Sequence, residues 1–257
     1  MFRSPALVGY YTMVRKEFVT VIRIWTQTLL PPVITMSLYF TIFGTFIGSQ
    51  VANIHGYTYI QFIVPGLVMM AIITSAYTHT VFGFYFTKFL RTIESLLVSP
   101  MPTWAIIGGF VSGGLMRASI VGVLVIGVSL FFTHLVLFNI WIVLAAAFLT
   151  ALLFAFAGLV NGIFAKSFDA INIVPTFVLT PLTYLGGVFY SIDQLPPFFR
   201  MLSLANPILY MVNAFRYGFL GVSDVPMWLA FSVMGGLAIV FFVLTLFLFI
   251  RGTGVKS

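Results

Sequence analysis

Long uncharged stretches alternate along this chain with short polar segments, and the lengths of those stretches set the architecture. From Ile24 to Ile54 there is no charged residue. A bilayer core requires roughly 20 apolar residues in helical form, so a first span is expected over about 29–48. Pro31 and Pro32 fall at its start, where a missing N–H costs least. A turn over 49–57 leads to a second span from 59 to 82 or slightly beyond, with Pro65 and Gly66 as an expected kink. A third span is expected over 104–132, a tight turn over 133–139, a fourth span over 140–164, a fifth over 171–189 and a sixth over 226–250.

Two polar segments read as amphipathic helices rather than spans. Over 10–27, Tyr10, Tyr11, Val14, Phe18, Val21, Ile22 and Trp25 share one helical face, and Thr12, Lys16, Thr20, Arg23 and Gln27 share the other. That pattern fits a helix lying in the membrane interface, or more plainly a charged tail beside the first span. Over 86–102, Phe86, Phe89, Leu90, Ile93, Leu96 and Leu97 fall on one side, opposite Lys88, Arg91, Thr92, Glu94 and Ser95. Pro100 and Pro102 end that helix, because proline has no N–H and restricts the residue before it. It reads either as an ordinary interfacial loop or as a docking elbow for a soluble partner.

The segment 190–225 is apolar but broken by Pro196, Pro197 and Pro207, and it carries Asp193, Arg200, Arg216 and Asp224. Its uncharged run from Met201 to Phe215 is too short to cross. Short helices dipping into the outer leaflet fit it better, provided their irregular backbone is buried in protein.

Composition and charge confirm the class and add an orientation. Of 257 residues, 61% are hydrophobic and 7% charged, with a mean hydropathy of +1.15; a water-soluble globule could not be covered by so few charges. The net charge of +7 suggests lipid and topology rather than nucleic acid, because the cations flank apolar spans. With both ends inside, the inner face holds nine cations: Arg3, Arg15, Lys16, Arg23, Lys88, Arg91, Lys166, Arg251 and Lys256. The outer face holds two, Arg200 and Arg216, so the termini are expected to be cytoplasmic. Arg117 is set aside at the inner boundary, where it can snorkel, contact a neighbouring helix or meet a substrate. The Gly108, Gly109, Gly113, Gly114, Gly122 and Gly127 series marks the third span as buried in the bundle.

Candidate chemistry is sparse. There is no cysteine, hence no disulfide or thiolate site. His55, His79 and His134 are expected near the outer side, without metal-binding spacing. Glu17, Glu94, Asp169, Asp193 and Asp224 are expected outside the spans, which leaves no intramembrane carboxylate for a proton-driven carrier. No Gly-rich phosphate loop ends in Gly-Lys-Ser/Thr. The chain is therefore expected to be no enzyme and to hold no metal.

The stretches RIWTQTLLPPVITMSLYFTIFG (23–44), FIVPGLVMM (62–70), LRTIESLLVSPMP (90–102) and PTFVLTPLTYLGGVFYSIDQLPPFFRMLSLANPILYMVNAFRYGFLG (175–221) carry a family resemblance. The chain resembles the ABC-2 type permeases, membrane subunits of ATP-binding cassette exporters, over nearly its whole length. The resemblance implies an all-α polytopic fold in a single domain over 1–257, with six transmembrane helices, an N-terminal interfacial helix and outer re-entrant helices between the last two spans. It also implies a coupling helix between spans two and three, seated in a separate ATPase through Lys88, Arg91, Glu94, Ser95, Leu97, Ser99 and Pro100. Two copies would enclose a path through Thr180, Pro181, Tyr184 and Phe189, and Leu195, Pro196, Pro197, Asn206, Pro207 and Arg216 would form the outer gate region. ATP and Mg would bind the ATPase partner, membrane lipid would surround the pair, and the bacterial inner membrane would be the location. From the residues alone, a secondary carrier, a channel or a non-transporting membrane scaffold stay open.

Overall fold

The computed structural model describes residues 5–252 and 254; Arg3 and Lys256, two of the nine inner cations, lie outside them. Those residues form helices and turns, with a lone bridge between Ile54 and Tyr57. In chain order the helices are α1 Pro5–Arg23, α2 Trp25–Thr28, α3 Leu30–Tyr39, α4 Tyr59–Phe89, α5 Thr92–Val98, α6 Thr103–Ser129, α7 Ile140–Phe164, α8 Phe168–Val174, α9 Thr180–Tyr184, α10 Pro197–Leu204, α11 Pro207–Leu220 and α12 Met227–Arg251. A π-helical segment, Phe40–Ile47, continues α3, and another, Pro175–Leu179, joins α8 to α9.

Five stretches are long and apolar enough to cross a membrane: Trp25–Ile47, Tyr59–Phe89, Thr103–Ser129, Ile140–Phe164 and Met227–Arg251. The expected fifth span differs. Its helical pieces have 7, 5 and 5 residues, together short of the roughly 20 that a straight crossing takes. Pro175 and Pro181 are the cause, since each removes a backbone donor. The ladder shifts register there, and the Thr180 N–H bonds back to the Pro175 carbonyl, five residues earlier.

Local signals explain the boundaries. Thr58 and Gln61 close a capping box at the start of α4, and Asn139, Ser167 and Asn206 each accept a first-turn N–H, opening α7, α8 and α11. Gly221 and Gly252, both with positive φ, end α11 and α12. The helix α4 is the hub. It packs most extensively on α7 and α6, and 78% of its apolar window is buried. It runs unbroken through Pro65, and at Gly66 a Cβ would lie 2.9 Å from the Val188 carbonyl oxygen.

The amphipathic N-terminal helix forms, leaving most of its aromatic stripe uncovered while a narrow face packs on the protein. Met13, Glu17 and Val21 are buried, whereas Tyr11, Phe18, Ile22 and Trp25 are exposed. The reason lies in α6: Gly109 and Gly113 admit the side chains of Met13 and Glu17, with would-be Cβ distances of 2.6 and 3.0 Å. The aromatic stripe faces outward, free to meet lipid, and the glycine-lined groove takes the narrow face. Five of the six glycines expected to be buried in α6 meet a neighbour within 4 Å, and Gly127 faces open space.

Candidate functional site

The elbow is two helices with a sharp corner, where the sequence suggested one continuous helix. Helix α4 ends at Phe89, Arg91 takes the left-handed conformation with φ of 57°, and α5 begins at Thr92. The corner is fixed on both sides. Thr92 Oγ1 donates to the Thr87 carbonyl at 3.1 Å, and Lys88 Nζ donates to the carbonyls of Ile163 and Ala165 at 2.9 and 3.4 Å. Lys88, expected to be a partner contact, therefore satisfies the orphan carbonyls at the end of α7.

Of the apolar residues expected on one side of the elbow, Ile93 is buried and Leu96 and Leu97 pack partly against the same cluster. Phe86, Phe89 and Leu90 stay more than half exposed, because the corner turns them away from α5. Phe89 and Tyr85 meet Phe168 edge-on, with ring centroids 5.2 and 5.0 Å apart. The outward side of α5 presents Arg91, Glu94 and Ser95. Among the described residues, neither Arg91 nor Glu94 makes an ion pair. Ser99 bonds back to Leu96, and Pro100 is exposed just beyond.

Above the elbow, α4 has one uncovered stripe. Met70, Thr74, Thr78, Phe82 and Phe86 recur at every fourth position, and each is at least partly exposed on an otherwise buried helix. A cavity of about 390 Å³ opens along it, walled by Gln27, Pro31, Thr35 and Met36 on one side and by Arg117 of α6 on another. Arg117 Nη2 donates to the Thr28 carbonyl at 3.0 Å, so the helix-contact reading of this residue holds. A second cavity, about 400 Å³, lies between α4, α7, α9 and α12 and is apolar apart from Tyr77 and Asn161. It holds no charged group.

The residues expected to line the path lie together, apart from those expected in the outer gate region. Thr180, Pro181 and Tyr184 are exposed together on α9. Tyr184 stacks on Phe189 at 5.7 Å and shares a 3.0 Å hydrogen bond with Tyr39. Phe43 closes on Phe189 at 4.7 Å, giving a four-ring patch across the first span and α9. In the expected outer region, Leu195 ends the short 3₁₀ turn Ile192–Gln194, and Pro196 and Pro197 start α10. Asn206 caps Pro207-led α11 and donates to the Leu182 carbonyl at 2.6 Å. Arg216 is 1% exposed. Its guanidinium lies 3.8 Å from the Phe62 ring centre and donates to the carbonyls of Phe62 and Gly187 at 3.3 and 2.6 Å. It staples α11 to α4 and to the turn after α9.

A model of the ABC-2 type transporter family matches residues 9–220. The chain belongs to that family. It is 54% identical to the inner membrane transport permease YadH of Escherichia coli strain K12 over 243 residues, 94% of each chain. It is also 27% identical to nodulation protein J of Rhizobium leguminosarum bv. viciae over 69% of each chain, and 24% identical to that of Neorhizobium galegae over 87% of this chain and 86% of the relative.

Three features of this ABC-2 chain escaped the sequence reading. Glu17, expected outside the spans, is buried on the inner face of α1, and its Oε2 accepts from His79 Nε2 at 3.0 Å. His79 therefore packs against α1, nearer the end of α4 than its start. Burial alone would raise the Glu17 carboxyl, but the bond from His79 and the charges of Lys16 and His79 outweigh it and hold the carboxyl below its ordinary value. The second feature is Gly158 and Gly162 on α7, where would-be Cβ atoms approach Tyr77 O at 2.6 Å and Phe84 Cδ1 at 3.0 Å. This four-residue spacing of glycines is the readable signal for close helix packing.

The third is His55, Asp193 and Asp224, three residues distant in sequence whose ligating atoms lie within 4.8 Å of one another. Both carboxylates already have protein partners. Asp193 pairs with Arg200 at 3.2 Å, and Asp224 accepts from Ser191 Oγ and the Ile192 N–H at 2.8 and 3.2 Å.

Proposed function

We propose that this chain is the membrane-spanning subunit of an ATP-driven exporter in a bacterial inner membrane, acting as a homodimer with two copies of a separate ATPase. One observation carries the reading. The exposed, unpaired Arg91 and Glu94 sit at the end of α4, the most buried of the five long spans, whose uncovered stripe from Met70 to Phe82 lines a cavity. A force applied at α5 has one rigid route inward, and it ends on that cavity wall. ATP with Mg would bind the partner, since this sequence has no phosphate loop of the Gly-Lys-Ser/Thr kind.

On this reading Phe168–Tyr184 completes six spans as a broken crossing, α1 lies in the inner interface with both termini cytoplasmic, and α10 with α11 forms the outer re-entrant pair. Thr180, Pro181, Tyr184 and Phe189 face the second copy or the path. The outer gate region comprises Leu195, Pro196, Pro197, Asn206, Pro207 and Arg216, with Arg216 as its fixed anchor. Nucleotide-driven closure of the ATPase pair would move the two elbows. Because Lys88 ties the elbow to α7 and Phe168 ties it to α8, these helices would move with α4 between two packed arrangements.

The test is Arg91→Ala and Glu94→Ala in the full chain co-purified with its ATPase. Weakened association or loss of coupled hydrolysis, with unchanged thermal unfolding of the chain alone, is expected. Wild-type hydrolysis and transport in both variants would remove the docking role. The buried Glu17–His79 pair favours one rival, a proton-coupled carrier. Flux through the purified chain alone, driven by a pH gradient and abolished by Glu17→Gln, would establish that rival instead.

A further inference from the structure

The cavity beside α4 has an unbalanced charge. Of its lining residues Arg117 alone is charged, and no carboxylate faces it. Among the described residues Arg117 makes no ion pair. Its guanidinium is half used: Nη2 donates to Thr28, while Nε is buried with no acceptor. A cation within a membrane-spanning helix and without a counter-ion is costly, which makes it a candidate functional residue. The planar fork of an arginine suits a phosphate or carboxylate oxygen.

The rest of the lining fits the same class of ligand. Gln27 and Thr35 add polar side chains to the lining, and Thr74 and Thr78 line the α4 wall with hydroxyls that donate to their own helix carbonyls at 2.9 and 2.7 Å. Those two have spent their donors and offer an anion no hydrogen bond, which leaves Arg117 as the donor it would meet. Pro31, Met36, Met70 and Phe82 form its apolar part. Arg117 meets Thr28 near the start of the first span, and Met36 lies about two turns further along it. With one cation among mostly apolar walls, the cavity matches an amphipath rather than a free ion. A volume of about 390 Å³ accepts a headgroup and the first part of a tail.

We infer that this cavity binds the anionic headgroup of a phosphate-bearing amphipath, with Arg117 as the residue that contacts the anion. Two sources share that chemistry, a resident anionic phospholipid and an exported anionic amphipath. The second source rests on the exporter reading; the binding itself does not.

The test is native mass spectrometry of the full chain in dodecyl maltoside, titrated with dodecyl phosphate, dodecylphosphocholine or inorganic phosphate. Wild type should bind dodecyl phosphate at least tenfold more tightly than either control. Arg117→Gln should lose that preference, and Arg117→Lys should keep part of it. Thr78→Leu, which fills the cavity without touching the guanidinium, should weaken binding comparably while thermal unfolding stays near wild type. Equal binding of dodecylphosphocholine, equal binding of inorganic phosphate, or undiminished binding in both Arg117→Gln and Thr78→Leu would overturn the assignment. With the ATPase present, stimulation of hydrolysis by dodecyl phosphate in wild type but not in Arg117→Gln identifies cargo. Binding without stimulation identifies a resident lipid. Both results retain the site, and neither depends on the Arg91 and Glu94 experiment.

Discussion

Removing the His79 imidazole should cost this protein more than removing the Glu17 carboxylate it holds. Glu17 and His79 are 3% and 7% exposed, 3.0 Å apart, and enclosed by the glycine face of α6 at Gly113. Breaking a buried pair by deleting one member typically costs about 3–5 kcal/mol, because the other charge stays buried without its partner. In His79→Ala the carboxylate keeps one cation, Lys16, at 3.3 Å on its other oxygen. That lysine is half exposed and worth little by itself, so the expected loss is about 2–3 kcal/mol. In Glu17→Ala no carboxylate is left buried without its partner and only the imidazole loses a hydrogen bond, so the loss should be about 1–2 kcal/mol. For a chain of this size, 2–3 kcal/mol lowers the unfolding midpoint by roughly 4–12 °C.

The Glu17 carboxyl is held below its ordinary 4.5, so its contribution is complete above that pH and is lost as pH falls through the native value. The gap between wild type and His79→Ala should therefore persist from pH 7 to about 5 and narrow below 4.5. Thermal unfolding of the detergent-solubilised chain across that range measures it. Glu17→Ala falling further than His79→Ala, or a gap that widens in acid, would refute the reasoning.

Arg216→Met should lower stability by about 3 kcal/mol, since the Phe62 and Gly187 carbonyls lose their donor; Arg216→Lys should recover only part, because it lacks the fork. Gly158→Val should cost about 2 kcal/mol or more in the same unfolding assay, because its Cβ would sit 2.6 Å from the Tyr77 carbonyl. Gly235→Ala in α12 meets nothing within 4 Å and should be neutral or stabilising by up to about 1 kcal/mol.

Hydrophobic periodicity locates the long helices well because a bilayer makes length and charge the dominant constraints. It reads less well where a backbone choice depends on a distant neighbour. The corner at Arg91 is such a case: amphipathic spacing runs smoothly across it, and only the demand of the α7 end for a cation at Lys88 and the docking of Phe89 on Phe168 explain the break. The buried face of α1 is another, since Met13 and Glu17 look less apolar than the aromatic stripe but fit the groove that Gly109 and Gly113 leave. A chain read one element at a time cannot show that groove. The elbow's exposed Arg91 and Glu94 were legible because nothing distant claims them.

The same logic connects the elbow to the cavity. Every contact that fixes α5 passes through α4 or its immediate partners: Thr92 to Thr87, Lys88 to the end of α7, Tyr85 and Phe89 to Phe168. At 1.5 Å per residue, the step from Arg91 up to Thr78 and Thr74 is roughly 20–25 Å along a helix with no interior break. Close packing makes such a helix move as a body, since Gly158 and Gly162 leave no slack against α7. On the exporter reading, a displacement at Arg91 and Glu94 would reach the Thr74–Thr78 wall with α4, and α6, packed on α4 through Gly113, Gly114 and Gly122, would follow it. The first span, which closes the cavity through Gln27, Pro31, Thr35 and Met36, packs on α4 less extensively than α6 and α7 do, so a push at the surface would change what the cavity can hold by moving the α4 wall against that side.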